Sequence, residues 1–305
     1  MTGKEIDLFI FSQLAVWNAY RNNYEGLKDI RVRSIDFGSF EIYLQFNPMR
    51  VISTTADVSP EKIEKRPCFL CREHRSREQK SIEEYGYDIL VNPYPIFRKH
   101  LTISKIAHVR QSLKNETDNM LLISAQLEDF TVFYNGPQSG ASAPDHMHFQ
   151  AVPRGDIPFT DTAKAEKEKL TAKSNVEIYG AGDILRKYLI IEGDSRENIC
   201  VTTEMISGLL TEGDGEQRVN VYSEYNGAQY KVIIVPRAEH RPWQYFSEVN
   251  PVFFSPGAVD IGGVVVTVRE EDFQKINKEL LIDMFSQIII NEQKWKQLTE
   301  KIKKM

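Results

Sequence analysis

Apolar positions follow two rhythms along this chain, and the switches between them outline its elements. Over residues 4–28, Ile6, Phe9, Ile10, Leu14 and Trp17 recur every three or four positions, which predicts one buried helix face. In "IRVRSIDFGSFEIYLQFNP" (30–48) the rhythm shortens to alternate residues on either side of Gly38, which predicts a pair of strands. "VISTTADVSPEKIEKRP" is rich in turn formers and leads into "CFLC". "YDILVNPYPIF" and "HLTISKI" read as strands bounded by prolines and polar residues. "NETDNMLLISAQLEDFTVFYNG" opens on capping residues, keeps its apolar residues on one face and stops at Asn135-Gly136, which predicts a helix over the whole stretch. "HMHFQAVPR" alternates and predicts a strand.

Residues 160–176 are polar and charged, and read as a linker or an exposed helix between two halves. Beyond them, "RVNVYSEYNGAQYKVIIVPRAEHRPW" predicts a hairpin turning at Asn226-Gly227. "VVVTVREEDFQKI" reads as a strand running into a helix, and the chain from Asp272 onward as helical with a basic end. "ILVNPYPIFRKHLTIS" and "YKVIIVPRAEHRPW" share a strand, a proline, basic residues and a histidine in that order, which suggests duplication of one αβ unit.

Composition narrows the classes. The 305 residues are 41% hydrophobic and 27% charged, an ordinary globular balance for one large domain or two smaller ones. The net charge of −5 carries no basic excess, so a nucleic acid is not an expected partner, although local donors could hold a small ligand's phosphates. No apolar run reaches the length of a membrane span, and the N-terminus lacks a basic region and cleavage site. Cys68, Cys71 and Cys200 do not make a disulfide framework. The expectation is a cytoplasmic protein.

The candidate chemistry lies in "NGPQSGASAPDHMHFQ" (135–150). On a strand, His146, His148 and Gln150 share one face, with Met147 and Phe149 turned to the core. Gly136 and Gly140 would let backbone N–H groups approach a phosphate closely, and Ser142 adds a hydroxyl. A neutral imidazole can attack phosphorus and form a covalent nucleotidyl-histidine. Two histidines at this spacing can also simply line a half-buried strand. "CFLC" spaces Cys68 and Cys71 to share one zinc, which needs further ligands; His74 in "REHR" is one candidate. The alternative is a pair of reduced cysteines in a turn. His100 and His240 read as surface or core histidines, and Cys200 as a buried strand cysteine.

The segment 135–150 resembles the active-site segment of the histidine-triad superfamily, in the branch of galactose-1-phosphate uridylyltransferases, diadenosine tetraphosphate phosphorylases and GDP-hexose phosphorylases. That branch carries His-x-His-x-Gln where the nucleotide hydrolases carry a third histidine. The likeness extends upstream through "RPCFLC" and "NPYPIFRKHLTISKIAHVRQSL", and downstream through "YKVIIVPRAEHRPW" and "FSPGAVDIGGVVVTVREEDF". It covers most of residues 40–280.

The resemblance implies an α+β fold of two histidine-triad-like repeats, each an antiparallel sheet with packed helices. Residues 1–175 would form the catalytic repeat, and 176–305 a second, non-catalytic repeat with a C-terminal helix. His148 matches the nucleophile and Gln150 the residue that hydrogen-bonds the phosphate of the intermediate. Asn135, Gly140 and Ser142 match the loop that holds the phosphates. In the zinc-containing uridylyltransferases the remaining ligands resemble His108 and His146, which would complete a zinc site with Cys68 and Cys71. Asp145 is an extra residue between Pro144 and His146, and puts the path of the loop into the strand in question. The implied activity is transfer of a nucleoside monophosphate from a small nucleotide to phosphate or a sugar phosphate. A nucleotide-conjugate hydrolase and a non-catalytic nucleotide sensor are the alternatives. The resemblance mildly favours a homodimer.

Overall fold

The computed structural model describes residues 1–51, 59–163, 167–211 and 217–305. The strands are β1 (Arg31–Asp36), β2 (Glu41–Phe46), β3 (Ile82–Glu84), β4 (Tyr87–Val91), β5 (Leu101–Lys105), β6 (Phe130–Asn135), β7 (His148–Pro153), β8 (Lys167–Lys173), β9 (Val176–Gly182), β10 (Lys187–Gly193), β11 (Val219–Tyr225), β12 (Tyr230–Pro236) and β13 (Val264–Thr267). β3 to β12 form one ten-stranded antiparallel sheet in the order β3-β4-β5-β7-β6-β11-β12-β10-β9-β8. β1, β2 and β13 form a second, small sheet. β4 and β6 are buried at every position because both faces of the large sheet are covered.

The strand order contains the repeat. Read from either edge, each half is a five-stranded antiparallel sheet whose fifth strand lies between its third and fourth. A helix joins the third strand to the fourth in both halves, Thr117–Gln126 and Arg196–Leu209. The halves meet where β6 pairs with β11, from Val132–Ser223 to Asn135–Asn220. Phe130 pairs with Pro153 in the first half, and Val219 with Pro236 in the second. Counting back from each proline, the position of His148 is taken by Lys231 and that of Gln150 by Ile233. Lys231 is tied to Glu224 at 2.7 Å, so this part of the second half carries an ion pair in place of an imidazole.

The duplication is therefore real, but the echo named above is not its equivalent pair. "YKVIIVPRAEHRPW" belongs to β12, whereas "ILVNPYPIFRKHLTIS" spans β4 and β5. The equivalent segments are "IFRKHLTI" (96–103) and "ILRKYLII" (184–191), leading into β5 and β10, with five of eight residues identical.

The two faces have separate cores. On one, Met120, Leu121, Ile199, Ile206, Leu298 and Ile302 pack helices against Phe149, Ala151 and Val232. On the other, Ile42, Leu44, Val265 and Phe285 pack against Phe133, Ile190 and Ile233. Among the described residues, no helix is long and apolar enough to cross a membrane.

Several boundaries differ from expectation. The first helix ends at Val16 and another runs from Asn18 to Glu25, because Trp17 is extended (φ −112°, ψ 94°). The helix predicted to reach Asn135-Gly136 stops at Gln126; residues 130–135 are β6, whose aromatic and β-branched side chains are buried on both faces. The charged stretch 160–176 is mostly strand where it is described: β8, with three lysines and one glutamate, is an edge strand paired with β9. Residues 164–166 of that stretch lie outside the described residues, as do residues 52–58 of the turn-rich connection. Cys200 is half-buried on the helix Arg196–Leu209 and not on a strand.

Candidate active site and metal centre

β7 begins at His148, two residues later than a strand carrying both histidines would. Met147 and Phe149 are fully buried in the helix-side core. His148 and Gln150 point to the other face and line a cavity of about 640 Å³. His146 does not share that face. It sits in the bend before β7 and turns toward the cysteines.

Each polar group at the start of β7 has a fixed partner. Gln111 accepts the N–H of His148 at 2.8 Å and donates to the carbonyls of His148 (3.0 Å) and Asn135 (2.9 Å). It clamps β7 to the end of β6. Nδ1 of His148 lies 2.8 Å from the carbonyl oxygen of His146. A carbonyl only accepts, so Nδ1 carries the hydrogen and Nε2 is left with its lone pair. Burial pushes the His148 pKa down to about 4, so the ring is neutral near pH 7.

The same logic orients Gln150. Nδ1 of buried His100 accepts the N–H of Ile96 at 3.1 Å. Burial also lowers its pKa, to about 3, so the neutral ring carries its hydrogen on Nε2. That hydrogen is donated to Oε1 of Gln150 at 2.8 Å. The amide oxygen of Gln150 is thereby occupied, and its NH2 is the end that can serve a ligand. His100, expected to be a surface or core histidine, is instead a partner of Gln150, and Gln111 is a site residue that the sequence did not single out.

The glycine-rich loop leans on the second half. Oδ1 of Asn135 accepts the N–H of Ala258 (2.7 Å) and Nδ2 of Asn220 (2.8 Å). Gly140 has φ +96°, and a Cβ there would lie 2.4 Å from Cα of Gly257. Gly140 and Ser142 line the cavity with Asn135. Gly136 does not; its N–H donates to Val219, and a Cβ there would lie 2.7 Å from the Gln217 carbonyl. Arg237, buried, bonds Asn220 (2.6 Å) and the carbonyls of Pro256, Glu239, His240 and Ile288, which fixes the opposite wall. That wall presents His240, Arg241, Ser255 and Asp260. Burial lifts the Asp260 carboxyl to about 6.

Behind the cavity, Cys68, Cys71, His108 and His146 each place a ligand atom within 4.8 Å of all the others. Nδ1 of His146 is 3.3 Å from Sγ of Cys68 and 3.5 Å from that of Cys71. Nδ1 of His108 is 3.1 Å from Cys71 Sγ and 3.1 Å from Nδ1 of His146. The other nitrogen of His146, Nε2, donates to the Lys105 carbonyl at 2.7 Å. Nδ1 of a neutral His146 is therefore a lone pair facing two sulfurs and another imidazole. A cation among them satisfies all four, and the carbonyl bond to Nε2 is the outer support that metal-binding histidines use. These four residues could hold a metal ion. The competing ligand His74 instead lines the cavity, with its Nδ1 3.0 Å from the Cys68 carbonyl. It groups with Glu73 and Cys71, but both His74 and Glu73 are exposed.

The extra Asp145 has a partner. Its carboxylate binds Nη2 of Arg66 at 2.6 Å, joining the bend before β7 to the segment entering "CFLC".

Residues 9–153 match a domain of unknown function, DUF4922, and residues 162–305 match the GDPGP1-like C-terminal domain. No curated protein matches the chain. Yeast Ap4A phosphorylase Apa2 in complex with Ap4A is similar in structure, with a TM-score of 0.63 and 15% identity over 95% of this chain and 99% of that one. The same yeast enzyme in another structure gives a TM-score of 0.59 and 14% identity, over 90% and 97% of the two chains. In complex with AMP it gives 0.56 and 15%, over 90% and 96%. The chain thus shares the fold of Ap4A phosphorylase along most of its length, and its C-terminal half carries a GDPGP1-like C-terminal domain.

Proposed function

We propose that this protein is a nucleotide phosphorylase or nucleotidyltransferase that works through a covalent nucleotidyl-histidine at His148. The observation that carries the reading is the fixed tautomer of His148. Its Nδ1–H is spent on the His146 carbonyl, so Nε2 offers a neutral lone pair beside the cavity. Nε2 attacks the α-phosphorus, a P–N bond forms, and the bond to the leaving phosphate oxygen breaks. An oxygen of inorganic phosphate or a sugar phosphate then attacks the same phosphorus, the P–N bond breaks and neutral His148 returns. The first leaving group is a phosphate and the second is the neutral imidazole of His148, and neither needs a proton to depart. That suits a glutamine at position 150, which can donate hydrogen bonds but cannot serve as an acid.

Gln150, oriented by His100, would hold an oxygen of the α-phosphate, and Gly140 and Ser142 would hold its neighbours. Asn135 would act mainly by positioning the loop, because its oxygen is already shared between Ala258 and Asn220. In this reading residues 1–175 carry the reaction and 176–305 form a non-catalytic repeat. Lys231 and Ile233 at the equivalents of His148 and Gln150 support that division of labour. The similarity to Apa2 and the GDPGP1-like domain support an enzyme acting on nucleotides. Zinc on Cys68, Cys71, His108 and His146 would fix the bend from which His148 starts.

Turnover assays with dinucleoside polyphosphates and nucleotide sugars, with and without inorganic phosphate, test the proposal. Phosphate-dependent release of a nucleoside diphosphate supports it. Turnover that ignores phosphate and sugar phosphates makes the protein a hydrolase.

A further inference from the structure

Arg66, His74 and Arg75 line the cavity from the first half near the metal centre. Arg75 gives its donors to Asp88 and the Leu70 carbonyl. His74 uses Nδ1 on the Cys68 carbonyl. Arg66 also lines the cavity, and it differs. Its Nη2 is held by Asp145 at 2.6 Å and its guanidinium lies over the Phe69 ring at 4.8 Å. Its Nη1 is buried and has no hydrogen-bond partner.

A shielded guanidinium nitrogen with no acceptor is costly and uncommon. Here the cost falls on a side chain whose plane is fixed on two sides. Asp145 sets one edge of the fork and Phe69 stacks on its face, so the remaining edge has little freedom to seek water. Such an edge matches the paired oxygens of a phosphate. Asp145 directly precedes His146. The pair therefore ties the orientation of Arg66 to the strand that carries His148.

We infer that Arg66, oriented by Asp145, binds the phosphate of the leaving group and of the incoming acceptor. The inference rests on the nucleotidyl-transfer reading of the same cavity. In a double displacement through one histidine, the leaving group and the acceptor take the same place, opposite the attacking nitrogen. One arginine thus serves both half-reactions, and it acts on phosphates beyond the one that His148 attacks.

Direct binding tests this without turnover. Inorganic pyrophosphate and a panel of nucleoside monophosphates are titrated by calorimetry into wild-type protein, Arg66→Met, Arg66→Lys and Asp145→Asn. Thermal midpoint and metal content of each variant show whether the "CFLC" segment remains intact. Arg66→Met should weaken pyrophosphate by about tenfold or more, the usual size for losing a charge-assisted bond, while monophosphate affinity stays within about twofold. Arg66→Lys should recover only part of the loss, because lysine has no fork. Asp145→Asn should fall between wild type and Arg66→Met. If folded Arg66→Met binds both ligands as wild type does, or weakens both equally, the role given to Arg66 is wrong. If wild-type protein binds no nucleotide, the functional reading itself fails and the inference fails with it. If Arg66→Met does not fold, the comparison of wild type with Arg66→Lys and Asp145→Asn decides, and unchanged pyrophosphate affinity in both overturns the inference.

Discussion

His100 donates its Nε2–H to Oε1 of Gln150 across 2.8 Å, and its Nδ1 accepts the N–H of Ile96. The two bonds lock one tautomer and one amide orientation. His100→Ala should therefore release Gln150 to flip and lower kcat by up to about 10²-fold, the scale of misplacing a group by about an ångström. The KM for nucleotide should change little. Equal losses in kcat and in nucleotide affinity would instead mark His100 as a binding residue.

The lone-pair cluster at Cys68, Cys71, His108 and His146 predicts a bound metal. Elemental analysis of protein purified without chelator should find about one zinc per chain. Cys68→Ser should lose it and lower the thermal midpoint, because a serine hydroxyl does not replace the thiolate and the remaining three side chains lose the cation that would satisfy them. Protein free of metal and as stable as Cys68→Ser would remove the metal centre from the account.

Gly140 combines φ +96° with backbone contact to Gly257. Gly140→Ala should destabilise the protein by roughly 1–3 kcal/mol through strain and overlap, and should part the two loops that line the cavity. A lower urea midpoint with weaker nucleotide binding is the expected pair of results.

Buried His100 also gives stability a pH dependence. Its pKa is about 3 in the folded protein, against 6.5 ordinarily. Between those values the unfolded chain takes up a proton that the folded protein refuses. Stability from this residue is thus unaffected above pH 6.5, and falls by about 1.4 kcal/mol for each pH unit below it. Urea midpoints at pH 7.5 and 5 should show the decline, and His100→Gln should make it shallower, the remainder coming from His148 and His240, whose pKa values burial also lowers.

The pattern of apolar positions identified the strands on either side of the motif because alternation survives wherever one face is buried. It failed at residues 130–135, where a strand buried on both faces looks like the end of an apolar helix. It failed again at β8, whose three lysines and single glutamate resemble an exposed helix. The histidine pair was legible as chemistry, but its division of labour was not. His148 lies on the strand and His146 just before it, and only the bend at Asp145 sends one ring to the cavity and the other to the cysteines. Gln111, His100, Arg66 and Arg237 act on the site through partners distant in sequence, which spacing along the chain does not reveal.

The central claim is that Nε2 of His148 bonds to phosphorus. The most direct test incubates protein with an α-labelled dinucleoside polyphosphate or nucleotide sugar, without acceptor, and quenches without acid because a phosphoramidate is acid-labile. Wild-type protein should retain label, mapped to His148, and release it when phosphate is added. His148→Ala should bind nucleotide, retain no label and lose turnover. A His148→Ala protein that turns substrate over near the wild-type rate would contradict the account and leave direct attack of the acceptor on bound nucleotide in its place.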